Sequence, residues 1–253
     1  MINPLTMKLE QFRNFDRRER ARLDAFVSGH RRRWDAKQDI ISEGDHVGEI
    51  HLVLSGLAAR YKILPDGDRQ IMAFLIPGDL CDVEVFVLEE MDHGICAITE
   101  TVCALIPAQT VKEMLSEISG LAQALWWSTM TDSAVLRERI IDHGRRDSRE
   151  RIAHLFYEML IRYRVVGLTH DGTFPFPVTQ EELADATGMS PVHVNRTLKQ
   201  LREDGLVDVS GRQIKVLDPA GLKAAARFNP NYLHLKRTEA RQDPIAARVG
   251  DLI

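Results

Sequence analysis

The chain has 253 residues, of which 44% are hydrophobic, 28% charged and 6% aromatic, with a formal net charge of −4. This is the composition of a soluble globular protein of one or two domains, and it excludes disordered, collagen-like and disulfide-stapled chains. Residues 1–7 lack the charged start and apolar core of a secretory signal, and no apolar run is long enough to span a bilayer, so a cytoplasmic protein with no membrane partner is expected.

In chain order, the first element is a short helix expected over residues 16–29. Glycines then recur at Gly44, Gly56, Gly67 and Gly78, the last three spaced by 11, and β-rich runs lie between them at 50–54, 58–64 and 70–76. Pro65-Asp66-Gly67-Asp68 predicts a hairpin turn, because Pro presets φ and Gly accepts positive φ. Short strands with regular turn signals predict a small β-barrel or β-roll. The odd set Cys81, Cys96 and Cys103 contains no CxxC pair and reads as buried thiols.

From about residue 111 to 143 the pattern is helical, with an apolar stripe of Ile118, Leu121, Leu125, Met130, Val135, Leu136 and Ile140, and with Trp126-Trp127 adding bulk. A helix this long exceeds what one small barrel can cover, so pairing with the same helix of a second copy is expected; Ser128 and Asp132 fall near the expected seam. A further helix is expected over 148–164, followed by a Gly- and Pro-rich loop over 167–177.

The next stretch carries the functional signal. Thr179-Gln180-Glu181-Glu182 is a capping box opening a short helix with Leu183 and Ala184 facing inward. Gly188 stands where a tight turn between helices needs positive φ, Ser190 caps a second helix, and Pro191 takes its first position. On that helix Val194, Leu198 and Leu201 follow a spacing of four and three and face the core. The opposite face is left with Val192, Asn195, Arg196 and Lys199. A guanidinium at Arg196 matches guanine O6 and N7, Asn195 and His193 suit bases or phosphates, and Val192 suits a thymine methyl; Lys199 and Arg202 are placed for phosphates. Residues 205–209 and 213–217 flank Ser210-Gly211-Arg212 as the β-hairpin of a winged helix.

Charge distribution agrees with this reading. The net charge is acidic, but over 190–202 the only ionised side chains are Arg196, Lys199 and Arg202. Over 79–92, by contrast, Asp79, Asp82, Glu84, Glu89, Glu90 and Asp92 occur without a Lys or Arg.

The helix-turn-helix run, from Thr179 through Gly188-Met189-Ser190 and Val194-Asn195-Arg196-Thr197-Leu198 to Gly205-Leu206-Val207, resembles that of the Crp/Fnr family of transcription regulators. Leu54-Ser55-Gly56 and Pro77-Gly78-Asp79 are similar to that family's cyclic-nucleotide-binding-like domain. The resemblance implies an α+β fold: a β-roll or jelly-roll sensor domain over 8–115, a dimerisation helix over 116–145, a winged helix-turn-helix over 146–220, and a C-terminal helix and tail over 221–253. It also implies a homodimer on a palindromic site in double-stranded DNA, and contact with RNA polymerase.

The departures from the family pattern bear on the effector. Where cyclic-nucleotide binders of the family carry Gly-Glu-Leu and then an arginine for the phosphate, this chain has Asp82-Val83-Glu84 and, at the arginine's place, His93. Carboxylates against a phosphate are electrostatically wrong, so tight cAMP binding is not expected. The oxygen-sensing branch holds an iron–sulfur cluster on four cysteines, and three cannot do so within one chain. The effector-pocket candidates are Cys81, Asp82, Glu84, His93 and Cys96; their spacing matches no ordinary zinc pattern, so no metal site is assigned and no cofactor is named, and the alternative for Asp82 and Glu84 is a place in solvent. On the reader helix, the family's glutamate after the capping serine is replaced by Val192, which cannot accept from a cytosine amine.

Two other classes compete with this reading. An enzyme is disfavoured, because the chain has no P-loop, HExxH motif or nucleophile elbow. A regulatory module sensing another small molecule, metal or haem is the alternative, but it leaves the winged helix without a use. The arginines at 13, 17, 18, 20, 22 and 31–33 read as a solvated helix face followed by the entry to the barrel, since acidic residues are interleaved.

Overall fold

The computed structural model describes residues 3–46, 48–83 and 89–236, and the chain divides into two compact units. The first takes the chain to Asp132 with Val165–Gly167, and the second takes Ser133–Arg164 and the chain from Leu168.

The first unit opens with α1 (Pro4–Leu9), where the Asn3 side chain accepts from the Thr6 N–H. At six residues it is too short for periodicity to reveal. α2 (Arg17–Val27) starts at a capping box: Asp16 accepts from the Arg18 and Glu19 amides, and the Glu19 carboxylate accepts from the Asp16 N–H at 2.9 Å. Seven strands follow among the described residues: β1 (Arg31–Trp34), β2 (Asp39–Ile41), β3 (Glu49–Ser55), β4 (Ala58–Ile63), β5 (Arg69–Leu75), β6 (Gly94–Ala97) and β7 (Thr101–Pro107). They form two antiparallel sheets, β1-β7-β3 and β2-β6-β4-β5. The turn between β4 and β5 is the one the sequence predicts, with Gly67 at φ 93° donating to the Leu64 carbonyl. Trp34, Ile41, Val53, Ala58, Leu75, Ile95 and Cys103 bring both sheets into one apolar core. Leu5, Leu23, Ile50, Ile106 and Met114 form a second core against the helices.

The single helix expected over 111–143 is two helices, α3 (Ala108–Glu117) and α4 (Leu121–Gly144). The break comes where Ile118 turns extended and Gly120 takes φ 73°. The apolar periodicity runs on through it, which is why the sequence pattern hides it. The stripe divides accordingly. Ile118, Leu121 and Val135 are buried in their own chain, while Trp126, Met130, Leu136 and Ile140 face solvent. Ser128 is buried, and Asp132 is met by Lys8 at 3.6 Å and Arg60 at 3.7 Å, so neither interrupts the exposed face.

The second unit contains α5 (Ser148–Val165), β8 (Thr173–Pro175), α6 (Gln180–Thr187), α7 (Pro191–Glu203), β9 (Val207–Ser210), β10 (Gln213–Val216) and α8 (Pro219–Ala225), with a 3-10 turn at Pro230–Leu233. β8 lies in the stretch read as a loop and adds a third strand to the wing, in the order β8-β10-β9. Phe174 on β8 stacks on Tyr163 at 5.5 Å and meets Phe176 at 6.2 Å, which in turn meets Phe156 at 5.8 Å. That aromatic series holds the wing sheet to α5.

Candidate nucleic-acid interface

Local sequence sets each part of the helix-turn-helix. Thr179 accepts from the Glu182 amide at 3.1 Å while the Glu182 carboxylate accepts from the Thr179 N–H at 2.7 Å, so α6 begins at a closed capping box. α6 ends at Gly188 in the left-handed region, φ 63°. A Cβ there would stand 3.0 Å from the His143 ring, so both backbone and space call for glycine. Ser190 then accepts from the His193 amide at 3.3 Å, and Pro191 starts α7, where its missing N–H costs nothing.

α7 buries Val194, Thr197, Leu198 and Leu201. Its other face shows solvent Val192, which is 81% exposed, together with Asn195, Arg196, Lys199 and Arg202. Asn195, Arg196 and Arg202 have no side-chain partner among the described residues. Among the described residues Lys199 has only a solvated contact with Glu203 at 3.6 Å, both side chains being about two-thirds exposed. Beside the helix, the wing turns at Gly211, φ 61°, and presents Arg212 to solvent. Arg212 joins the site only in the structure; an arginine next to a hairpin glycine is its signal in the sequence. A helix with an open cationic face and a bare apolar tip, beside a basic hairpin, has the donors and methyls that base edges and phosphates need.

His193 differs from its neighbours. It is half-buried, and its Nε2 shares a 2.8 Å hydrogen bond with Ser148 Oγ at the start of α5. α5 grips the motif twice more, through Arg149 on Asp204 and through Arg151 donating to the Thr187 carbonyl.

Behind the motif lies a buried charge cluster that the sequence did not reveal. Glu158 is fully buried and accepts from Arg139 at 2.7 Å, from Tyr232 Oη at 2.9 Å and from Arg162 at 3.4 Å. Arg139 also donates to Asp142 at 2.8 Å. His154, fully buried and in ring contact with Phe228 and Tyr232, has no hydrogen-bond partner on either ring nitrogen among the described residues. Burial pushes its pKa down to about 3, against the pull of Asp142.

The effector candidates of the first unit are mostly enclosed. Asp82 is wholly buried, which removes the solvent-facing alternative: one oxygen accepts from the His51 N–H at 2.7 Å and the other pairs with the His51 ring at 2.7 Å. Cys81 is buried, and its thiol is pushed up by a hydrogen bond with Cys103 and by desolvation. Cys96 is buried on β6 opposite Ala59. His93 Nδ1 pairs with Asp92 at 2.5 Å. Glu84 lies outside the described residues. Arg60, also buried, donates to the Leu80 and Cys81 carbonyls at 3.1 Å. Among the described residues no three His, Cys, Asp or Glu side chains come together to hold a metal ion, and no helix is long and apolar enough to cross a membrane.

Residues 150–225 match the family model of a Crp-like helix-turn-helix domain, and residues 31–117 match that of a cyclic nucleotide-binding domain. The transcriptional activator protein FnrL of Cereibacter sphaeroides is 28% identical over 195 residues, 76% of this chain and 78% of that protein. The nitrogen fixation regulation protein FixK of Bradyrhizobium diazoefficiens is 28% identical over 203 residues, 78% of this chain and 82% of that protein. Among solved structures, FixK2 from Bradyrhizobium japonicum superposes with a TM-score of 0.69 at 26% identity, over 78% of this chain and 96% of that one.

Proposed function

From the premise that the chain belongs to the Crp/Fnr family of transcription regulators, we propose that it works as a homodimer placing two α7 helices in successive major grooves of an inverted-repeat operator. That it is a DNA-binding regulator and not an enzyme follows from the family. The observation that carries the reading of the interface is the unpartnered face of α7, with Arg196 at its centre. Arg196 reads guanine, Asn195 and Val192 read neighbouring bases, and Ser190, Lys199 and Arg202 hold phosphates.

The dimer is supported by α4. Trp126, Thr129, Ser133, Leu136 and Ile140 are spaced by alternate threes and fours, the seam of a coiled coil. Trp126 and Ile140 are 68% and 71% exposed, far more than an unpaired helix normally leaves bare. A second copy of the same stripe covers both.

The sensor roll does not take a cyclic nucleotide tightly in this reading. Asp82 brings a buried carboxylate to the place of the family's nucleotide motif and is taken up by His51, while the Arg60 guanidinium is engaged by backbone carbonyls. A ligand without phosphate, or the apo roll itself, sets the state of the dimer. With DNA as its partner the protein works in the cytoplasm, and contact with RNA polymerase is the route by which it acts on transcription.

Selection of bound duplexes from a random pool tests the proposal. Enrichment of a guanine-containing inverted repeat is expected; enrichment of no sequence, with and without cell extract, contradicts it.

A further inference from the structure

His193 occupies the first turn of α7 beside Val192, yet its side chain turns back toward α5 and ends on Ser148. Both ends of that bond are held by rigid local structure. On the α5 side, the Glu150 N–H donates to Asp147 Oδ1 at 2.8 Å, the Asp147 N–H donates to Glu150 Oε2 at 3.2 Å, and Arg227 Nε pairs with Glu150 Oε1 at 3.0 Å. On the α7 side, the His193 N–H donates to the capping Ser190, and the His193 carbonyl accepts from Thr197 Oγ1 at 3.0 Å. Two fixed backbones joined by one short bond leave little freedom between them.

We propose that the Ser148–His193 hydrogen bond is the pin that sets the tilt of the reader helix on α5, so that His193 is a positioning residue and not a base reader. The inference rests on α7 being the DNA-reading helix. The other two grips act elsewhere: Arg149 holds Asp204 at the far end of α7, and Arg151 holds the end of α6. The Arg149–Asp204 pair is also partly exposed, and therefore weak and salt-screened. Among these three grips, Ser148 alone reaches the first turn of α7, the part that enters the groove. A small error of tilt there displaces Arg196 from the guanine edge, since bidentate recognition is geometrically strict. It follows that Val192, Asn195 and Arg196 read the bases without His193.

The test uses the full chain and the duplex recovered by selection, with affinity read by fluorescence anisotropy. Ser148→Ala and His193→Ala should each weaken binding about fivefold, the worth of one hydrogen bond. The double variant should be no weaker than the singles, because both remove the same bond. Any relaxation of base preference should fall on the guanine that Arg196 reads and be the same in all three, and Ser148→Thr, which keeps the hydroxyl, should bind like the wild type. In the free protein, amide exchange over residues 192–195 should rise in both alanine variants. Three results overturn the pin: His193→Ala relaxing preference at one base pair while Ser148→Ala binds normally, losses that multiply in the double variant, or unchanged exchange. Wild-type protein that binds no duplex refutes the proposed function instead, and the exchange measurement then still decides the pin.

Discussion

In the first unit Asp82 is wholly enclosed, with both oxygens taken up by His51, whereas on α7 Arg196 stands in solvent with no partner among the described residues. Both residues stand out in the sequence for the same reason, a charge in a region matched to a binding function. The structure separates them by what each charge still lacks. A buried carboxylate with two good donors has its electrostatics settled inside the fold, and its loss is felt as stability. An exposed guanidinium gains its partner only when a ligand arrives, and its loss is felt as affinity.

The largest expected effect breaks the first half of this comparison. Asp82→Ala leaves the buried His51 N–H and ring without an acceptor, and should lower the stability of the first unit by about 3 kcal/mol. Urea unfolding followed by tryptophan fluorescence reads this. A variant as stable as the wild type would mean that Asp82 is free for a ligand after all.

The second unit has its own settled cluster, and pH exposes it. The His154 pKa is held at about 3 by burial, below the ordinary histidine value. The unfolded chain therefore binds a proton that the folded one refuses, so stability is fully present above about pH 6.5 and falls as pH drops toward 3. The loss is on the order of 5 kcal/mol over that range. His154→Phe should flatten the slope between pH 6.5 and 5. An unchanged slope would assign acid sensitivity to another group.

Smaller effects belong to the reader. Arg196→Ala should cost about 1–3 kcal/mol in operator binding and relax preference at the guanine it reads, with folding unaffected. Lys199→Ala should weaken binding to all sequences alike and lower the salt slope by about one. Were the two to exchange behaviours, with Lys199 setting base preference and Arg196 only the salt slope, the assignment of roles along α7 would be reversed.

What was legible in the sequence follows from the range of the forces involved. The capping box at Thr179, the turn at Gly188 and the Ser190-Pro191 start each act within about four residues, and each is found where expected. The same holds for the Pro65–Asp68 turn of the roll. The break at Ile118–Gly120 was hidden because apolar spacing continued across it and only one glycine marked it. Pairings made over long distances left no trace at all. His51 meets Asp82 across 31 positions, and Glu158 meets Tyr232 across 74. His193 shows the same limit inside the site: its place on α7 suits bases or phosphates, and only the fold reveals Ser148, 45 positions earlier, at its Nε2.

The most direct test of the account is the phase of the operator. Two α7 helices on one dimer must enter grooves on the same side of the duplex, about 34 Å apart. Affinity should be compared for the selected inverted repeat and for versions with about half a helical turn, roughly 5 base pairs, inserted between the half-sites. The insertion should abolish specific binding. Equal affinity for the original repeat, the half-turn insertion and a single half-site would contradict it, because the protein would then be reading DNA as a monomer.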